Sequence, residues 1–350
     1  MTIDEKFMHR CLQLAELGAG NVAPNPMVGA VLVHDNKIIG EGYHKKYGEA
    51  HAEVNCINSV SKQHIELIKN ATLYVSLEPC AHYGKTPPCA DLIIKNNIPK
   101  VIIGSRDIYK DVNGKGIEKL QQADINVITG ILESDCLRLN KRFFSFHQKK
   151  RPYIILKWAQ SLNGKISNSH NFSQNSRVLI SNEYTTRIVH KWRSEETGIM
   201  VGTNTALIDD PLLTARFWKG KNPVRIIIDR NLRLPSYLKI FSKDLKTIIF
   251  NTINHEEKGN TFFYKLLSPD ILIEITEALY KMNIQSVLVE GGTKLLQSFI
   301  DAGLWDEARI ICNRKMIIGD GLNAPELHQF ELQKEETYFS DTITYFKSVF

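Results

Sequence analysis

The residues with the clearest chemical potential lie in the first third of the chain. His51 is followed two residues later by Glu53, and Cys80 and Cys89 each directly follow a proline. Imidazole nitrogen and thiolate sulfur are ligands that zinc prefers, and a catalytic zinc site keeps one position for water. Glu53 can reach that position without binding the metal and can carry a proton to a leaving amine. The pattern therefore predicts a catalytic zinc site held by His51, Cys80 and Cys89.

The order of these residues is typical of one enzyme class. A His-x-Glu motif followed by a Pro-Cys motif is the signature of zinc-dependent nucleobase deaminases. Their second cysteine usually comes after two residues, whereas eight residues separate Cys80 from Cys89. The intervening AHYGKTPP contains Gly84 and two prolines, so it can loop out and return the second thiolate. Buried core cysteines are the alternative, but Cys89 follows Pro-Pro in a polar segment.

A scaffold for these residues is visible in the first half of the chain. Thr2 and Glu5 form a predicted capping box for an opening helix, and Asp35-Asn36 joins two apolar runs as in a β-hairpin. A helix is expected to begin near His51. ATLYVSL, KVIIGS and INVIT then read as strands, with CADLIIKNN and GIEKLQQA as helices between them. This alternation predicts a mixed sheet covered by helices.

The length of 350 residues suggests two domains, because a domain typically spans about 100–200 residues. The basic, proline-containing segment 141–152 marks the expected boundary, giving domains at 1–147 and 151–350. A second alternation follows it, with helices over 182–193 and from Thr293 and with the strands YIILKWA, GIMVG, VRIIID, KTIIF, SVLVE and ARIIC. The second half is therefore expected to be an α/β domain with its own sheet.

Composition limits the partners and the compartment. The net charge of +6 is spread along the chain, which argues against a nucleic-acid partner but permits small anionic ligands. The six cysteines are sparse, and neither a signal peptide nor an apolar run of membrane-spanning length is present. We expect a cytoplasmic protein that binds neither nucleic acid nor membrane, with paired cysteines that serve metal binding or catalysis.

A second candidate site lies in the other half. SVLVEGGTKLLQSFI reads as a strand, a glycine turn and a helix, so that Gly291 and Gly292 let backbone amides approach a phosphate. Such turns are also common structural devices, and no G-x-G-x-x-G motif opens this half. Arg193 and Arg216 could clamp a phosphate together, although each alone could be a surface residue.

Both halves resemble one family, the bifunctional riboflavin-biosynthesis deaminase/reductases. The resemblance covers nearly the whole chain, and the eight-residue spacing with GKTPPC is particular to that family. It implies an N-terminal cytidine-deaminase-like three-layer α/β/α domain with a mixed sheet and a C-terminal dihydrofolate-reductase-like α/β domain. The motifs that carry it are PNPMVGAVLV, GEGYHKKYGEAHAEVNCI, TLYVSLEPCAHYGKTPPCADLI, LKWAQSLNGKI, HKWRSEETGIMVGTNTALIDDPLLTAR and VEGGTKLLQSFI.

The resemblance implies two reactions. The first is zinc-dependent hydrolytic removal of the 2-amino group from 2,5-diamino-6-ribosylamino-4(3H)-pyrimidinone 5′-phosphate, with Glu53 as the proton shuttle. The second is NADPH-dependent reduction of the ribosyl group to ribityl, giving 5-amino-6-(5-phosphoribitylamino)uracil. The cofactors implied are Zn²⁺ and NADPH, the partner is this small-molecule substrate, and a homo-oligomer is expected.

The resemblance also implies two sets of contact residues. NADPH is expected to meet Ala159, Thr205, Asp209, Gly292, Thr293, Lys294, Leu295, Leu296, Gln297 and Ser298. The substrate is expected to meet Asn25 in the first domain, and Ser176, Arg193, Leu213, Arg216 and Glu290 in the second. From the residues alone, Asn25 could equally be a plain turn residue, and the substrate-contacting serine could be Ser173 or Ser176. Leu179 and Arg230 stand where the family has other residue types.

Two alternatives share part of this pattern. A tRNA or free-nucleobase deaminase with an unrelated second domain would have the same zinc site, and stable RNA binding at physiological salt would support it. A non-catalytic module would hold structural zinc and sense a nucleotide. Structural zinc sites normally have four protein ligands, whereas this sequence offers three and a glutamate.

Overall fold

The structure, a computed structural model, describes residues 1–83, 87–108, 113–168 and 178–349. The chain divides into two compact units, Met1–Lys149 and Lys150–Phe350. This division falls inside the basic segment in which the sequence places the domain boundary. Most of that segment is a helix of the first unit, in which Phe143 and Phe144 pack with Leu77.

The first unit contains one five-stranded sheet and the helices that cover it. The strands are β1 (Gly29–His34), β2 (Lys37–Tyr43), β3 (Thr72–Leu77), β4 (Lys100–Ser105) and β5 (Asn126–Thr129). The helices are α1 (Ile3–Glu16), α2 (Ala52–Asn58), α3 (Cys89–Lys95), α4 (Lys115–Gln122), α5 (Glu133–Leu139) and α6 (Lys141–Lys149), with a 3₁₀ segment at Lys62–Asn70. The strand order is β2-β1-β3-β4-β5, with β1 antiparallel to both neighbours and β3, β4 and β5 parallel. The predicted mixed sheet is confirmed.

Local sequence signals explain how this unit begins. The Thr2 hydroxyl accepts the Glu5 backbone N–H, and the Glu5 carboxylate accepts the Thr2 backbone N–H, which completes the predicted capping box of α1. Asp35 and Asn36 have φ values of 48° and 57°. Two left-handed residues in a two-residue connection form the turn type that matches the twist of a hairpin. The predicted β1–β2 hairpin is therefore confirmed.

The sheet of the first unit buries both faces, because successive strand residues point to opposite sides. Leu73 and Val75 of β3 pack with residues of α2, α3 and α4. Tyr74, between them, packs with residues of α1 and α5 on the other face. Helices on both faces of one sheet give the predicted three-layer arrangement.

The second unit has a larger mixed sheet. Its helices are α7 (Glu183–Glu195), α8 (Thr203–Asp209), α9 (Ile271–Lys281) and α10 (Thr293–Asp301), with a 3₁₀ segment at Lys239–Phe241. Its strands are β6 (Tyr153–Ser161), β7 (Lys165–Asn168), β8 (Gly198–Gly202), β9 (Val224–Ile228), β10 (Thr247–Asn251), β11 (Glu256–Lys258), β12 (Thr261–Lys265), β13 (Ser286–Val289), β14 (Glu307–Asn313), β15 (Gly321–Asn323), β16 (Phe330–Tyr338) and β17 (Asp341–Ser348).

Ten of these strands form one sheet in the order β11-β12-β10-β9-β8-β13-β6-β14-β17-β16, and β7 pairs with β15. The run from β12 to β14 is parallel, and β11, β17 and β16 are antiparallel to their neighbours. Sequence patterns predicted the six apolar strands at the centre. They missed the outer strands. One of these, β16, has the sequence FELQKEETY, whose polar side chains leave no apolar run to recognise.

The parallel strands position the candidate residues of the second unit. Val287 and Val289 of β13 pack under α9 and α10, while Leu288 packs with α7 on the opposite face. Carboxyl ends of parallel strands meet at one edge of a sheet, where α/β proteins bind ligands. α8 follows β8 at this edge, and Glu290 follows β13 there. In the described ranges, no helix has both the length and the apolar character needed to cross a bilayer.

Candidate active sites

The first site begins at the start of α2. His51 is the N-cap residue, with extended backbone angles (φ −71°, ψ 169°). The Asn55 side chain donates to the Tyr43 carbonyl at 2.8 Å, which ties this helix to β2. A Cβ on Gly42 would lie 2.2 Å from the Cys56 backbone nitrogen. Only glycine therefore lets β2 approach α2 so closely, and the helix start is held firmly against the sheet.

Cys80 is placed by the end of β3 and by a buried carboxylate. Glu78, which is 4% exposed, accepts the backbone N–H groups of Gly114 and Gly116, each at 3.0 Å. A Cβ on Gly116 would lie 1.9 Å from the Pro79 carbonyl oxygen. The start of α4 is thus packed directly against the segment that carries Cys80. These contacts keep a zinc-ligand segment in one conformation.

Three ligand atoms converge at this point. His51 Nδ1 lies 3.6 Å from Cys80 Sγ and 3.4 Å from Cys89 Sγ, and all three atoms lie within 4.8 Å of one another. Tetrahedral zinc with ordinary bond lengths separates a nitrogen and a sulfur ligand by about 3.5 Å. The donor set and its spacing therefore fit zinc. The loop-out predicted at Gly84 lies outside the described residues.

The two thiols shift each other's pKa in opposite directions. A hydrogen bond from Cys89, together with His51, lowers the pKa of Cys80 to about 4. The bond to Cys80, together with burial, raises the pKa of Cys89 well above its usual value. The Cys89 backbone N–H also donates to Cys80 Sγ at 3.3 Å. One thiolate is thus ready for a metal, and the other loses its proton as the metal binds.

Glu53 lies beside these ligands in the first turn of α2. Its side chain is 3% exposed and is hydrogen-bonded to the Cys89 side chain. Burial, reinforced by the Cys80 thiolate, raises the pKa of Glu53 to about 7. A carboxyl group with such a pKa can both take up and release a proton near neutrality. The position and the chemistry suit the predicted proton shuttle.

Asn25 has a neighbour that sequence reasoning missed. His44 Nδ1 lies 3.1 Å from the Ala50 carbonyl oxygen, so Nδ1 carries a proton and donates it. His44 Nε2 is then an acceptor, and the Asn25 amide nitrogen donates to it at 3.3 Å. The Asn25 side-chain oxygen remains as an acceptor for a donating group. The only sequence signal was a second histidine shortly before His51.

The second site contains a buried charge cluster. Arg193 Nε and Nη2 donate to the two carboxylate oxygens of Glu290, at 2.7 and 2.8 Å. Lys157 Nζ lies 3.7 Å from the same carboxylate. Burial acts to raise the pKa of Glu290, but Arg193 and Lys157 outweigh it and lower the value to about 2. Two cations therefore hold the carboxylate of Glu290 in place at the carboxyl end of β13.

The predicted two-arginine clamp takes a different form. Arg193 is engaged by Glu290, and its Nη1 donates to the Thr214 carbonyl at 3.2 Å. The exposed Arg216 instead lies over Phe217, with Cζ 4.7 Å from the ring centroid. Arg193 therefore holds the Glu290 carboxylate, and Arg216 is the more exposed of the two predicted substrate arginines. A sequence does not show that an arginine is already paired with a carboxylate far along the chain.

One contact joins two of the segments that are expected to meet NADPH. The Gly292 N–H donates to Thr205 Oγ1 at 3.0 Å, which joins α8 to the glycine turn. α10 begins at Thr293 with no side-chain cap. Uncapped backbone N–H groups at a helix start can receive phosphate. This donor set fits a dinucleotide, and Asp209 ends α8 nearby.

Several of the other predicted residues face elsewhere. The Leu296 side chain is in the core, Ser298 donates to the carbonyl of its own helix, and Gln297 bonds to Asp301. Leu213 is 2% exposed, so the backbone is what it can offer a substrate. Ala159 is half-buried in β6. On α10, Lys294 is exposed and Leu295 is half-buried. Ser173 and Ser176 lie outside the described residues.

Comparisons with known proteins agree with this geometry. A family model for the cytidine and deoxycytidylate deaminase zinc-binding region matches residues 1–105, and one for the RibD C-terminal domain matches residues 152–342. The riboflavin biosynthesis protein RibD of Aquifex aeolicus is 38% identical, over 99% of this chain and 98% of its own. RibD of Escherichia coli is 34% identical, over 91% and 89%.

Solved structures give the same result. A diaminohydroxyphosphoribosylaminopyrimidine deaminase/5-amino-6-(5-phosphoribosylamino)uracil reductase from Thermotoga maritima is 37% identical, with a TM-score of 0.89 and 99% of each chain covered. Fold and sites thus define a zinc-dependent deaminase joined to an NADPH-dependent reductase. The chain belongs to the RibD family, and it is a bifunctional enzyme of riboflavin biosynthesis. Because both halves match, the tRNA-deaminase and sensor alternatives are set aside.

The ligand set predicts the effect of removing one thiolate. Cys89→Ala should lower bound zinc from about one per chain to near zero and should abolish ammonia release, because two ligands hold zinc poorly. Metal analysis of the purified protein measures this. Cys312→Ala, in β14 of the second unit, is the matched control and should retain its zinc. Stoichiometric zinc in Cys89→Ala would remove Cys89 from the ligand set.

The position of Glu53 predicts a separation of binding from chemistry. Glu53→Gln should retain zinc but release ammonia roughly 10²–10⁴-fold more slowly, because the amide cannot shuttle a proton. Metal content and the rate of ammonia release are measured together. Glu49→Gln, at an exposed carboxylate two residues before His51, should behave as the unchanged protein. Normal ammonia release by Glu53→Gln would contradict the proton role.

The charge cluster predicts a stability loss in the second unit. Glu290→Gln should lower its free energy of unfolding by roughly 3–5 kcal/mol, because it removes the carboxylate that pairs with the largely buried Arg193. Denaturant unfolding followed by tryptophan fluorescence reports on this unit alone, since Trp158, Trp192, Trp218 and Trp305 all lie in it. Glu277→Gln, exposed on α9, is the control. Equal stability of the two variants would contradict the cluster.

Proposed function

We propose that residues 1–147 carry the deaminase and residues 151–350 the reductase, and that deamination comes first. The substrate is 2,5-diamino-6-ribosylamino-4(3H)-pyrimidinone 5′-phosphate, and the final product is 5-amino-6-(5-phosphoribitylamino)uracil. The observation that carries this proposal is the convergence of His51, Cys80 and Cys89, with the buried Glu53 beside them.

In the deaminase site, His51, Cys80 and Cys89 would hold zinc. Bound there, the metal would supply Lewis acidity that makes a water molecule a nucleophile near neutral pH. Glu53 takes a proton from that water as its oxygen adds to the ring carbon bearing the amine. The same carboxyl group then delivers the proton to nitrogen as the C–N bond breaks and ammonia leaves. Asn25 presents its side-chain oxygen to an N–H group of the ring edge.

In the reductase site, the uncapped start of α10 and the hydroxyl of Thr205 would hold NADPH. Bound there, the dinucleotide would supply a hydride for C1′ of the ribosyl group, once the C1′–O4′ bond has opened to give an imine and a 4′-hydroxyl, and a proton would complete the amine. Arg216 meets the substrate phosphate, while Glu290, oriented by Arg193, contacts the sugar and pyrimidine part. The protein's contribution is therefore positioning and charge complementarity.

We also propose a cytoplasmic location and self-association. The location is supported by the use of Cys80 and Cys89 as a metal pair, since metal-binding cysteine pairs are typical of reducing compartments.

Self-association is supported by β16 at one end of the large sheet, where Phe330 is 44% and Leu332 56% exposed. Exposed apolar side chains on an outer strand favour contact with another chain.

The order of reactions can be tested with the purified protein and the diaminopyrimidine ribosyl phosphate. We expect ammonia release that zinc chelation abolishes, and NADPH oxidation that follows the ammonia. Glu53→Gln should oxidise NADPH with the deaminated compound but not with the original one. NADPH oxidation by Glu53→Gln on the original compound would contradict the order. Absence of both signals in the unchanged, zinc-loaded protein would overturn the proposed function.

A further inference from the structure

The segment Thr214–Gly220, which we call the arginine loop because it contains Arg216, lies along the C-terminal half of α7. Arg193 donates to its first residue, through the Thr214 carbonyl, at 3.2 Å. At its other end, a Cβ added to Gly220 would lie 2.7 Å from the Ser194 Cβ. The conformation of the arginine loop therefore depends on the side chains of α7.

His190 is the buried side chain of α7 at this contact. It is 2% exposed, and its ring lies close enough to the Thr214 backbone to be affected by it. Its Nδ1 is buried without a hydrogen-bond partner in the described parts of the chain. Packing of its ring is therefore the means by which His190 can act on the arginine loop.

A chain of ring contacts leads from His190 to Arg216. The rings of His190 and Phe217 meet edge to face, with centroids 4.7 Å apart and planes at 68°. Arg216 Cζ lies 4.7 Å from the centroid of the same Phe217 ring. Phe217 thus connects a buried imidazole with an exposed guanidinium. Cation–π contact holds the guanidinium over the ring, and Arg216 Nη1 also donates to Thr214 Oγ1 at 3.5 Å.

The charge state of His190 suits this arrangement. Arg193, Arg216 and Glu290 are the charged groups that act on it. Burial, followed by the two arginines, lowers the pKa of His190 to about 4. The ring is therefore neutral at physiological pH and adds no repulsion to the cations beside it. The proposed chemistry of the reductase assigns no proton transfer to it.

We propose that His190 is a positioning residue of the reductase, which holds Arg216 through Phe217 in the orientation that receives the substrate phosphate. The proposal rests on the proposed assignment of Arg216 to the substrate. An arginine held in its binding orientation loses less side-chain entropy when the phosphate arrives. His190 therefore acts on substrate affinity and leaves hydride transfer unchanged.

The test uses the full chain, NADPH and 5-amino-6-(5-phosphoribosylamino)uracil. His190→Ala should raise KM for this compound roughly tenfold, since substrate binding is weakened by about 1.4 kcal/mol. The values of kcat and of KM for NADPH should change by less than about twofold. Arg216→Ala should raise KM at least as much. Adding His190→Ala to Arg216→Ala should have no further effect, because the two residues act through one contact.

Two variants separate this role from a general structural one. His190→Phe keeps a ring against Phe217 and should recover most of the lost affinity. Lys191→Ala removes the neighbouring α7 contact, in which Nζ lies 5.7 Å from the Trp218 ring centroid, and should leave KM unchanged. Tryptophan fluorescence shows whether each variant has folded its second unit, and ammonia release provides an internal activity control. If His190→Ala does not fold, His190→Phe and His190→Gln are compared with each other instead. The KM of His190→Gln should then be the higher of the two, because it has no ring against Phe217.

The proposal would be overturned by additive effects in the double variant, by a fall in kcat at unchanged KM, or by an equal rise in KM for Lys191→Ala. A His190→Gln variant that binds better than His190→Phe would also contradict it, because the action would then pass through the Thr214 carbonyl. If the unchanged chain does not reduce this compound at all, the proposed function fails instead.

Discussion

Buried carboxylates at the ends of parallel strands are the constraint on which both sites depend. A charge removed from water is costly unless it is paired or hydrogen-bonded. Glu78 after β3 is satisfied by backbone N–H groups, among them those of Gly114 and Gly116. Glu290 after β13 is satisfied by Arg193 and Lys157. Each carboxylate therefore fixes the segments around it, and these are the segments that carry the functional residues.

The consequences differ between the units. Around Glu78 the result is a rigid backbone, so that Cys80 stands ready for a metal before any metal arrives. Around Glu290 the result is a set of charged side chains in fixed orientations. The first arrangement suits a reaction in which a proton moves between fixed atoms. The second suits the binding of a phosphorylated sugar to which hydride is delivered.

The predictions from the sequence were most reliable where chemistry and local pattern coincided. The capping box at Thr2 and Glu5 and the hairpin turn at Asp35 and Asn36 involve residues close in the chain, so their geometry follows from local rules. The central strands were recognisable because burial on both faces leaves continuous apolar runs. The outer strand β16 was missed because a solvated strand of polar residues has no comparable signal.

By itself, the sequence determined the zinc site. Few other kinds of site combine a histidine, two thiolates and a nearby glutamate. His51 and Cys89 also lie only 38 positions apart in the chain. It also determined the family, through motifs spread over both halves. Only the tertiary structure decided how Arg193 is used, since its carboxylate lies 97 positions away. It likewise revealed His44 beside Asn25 and His190 beneath Phe217. Such pairings depend on which side chains folding brings together, and one sequence does not encode that in any local pattern.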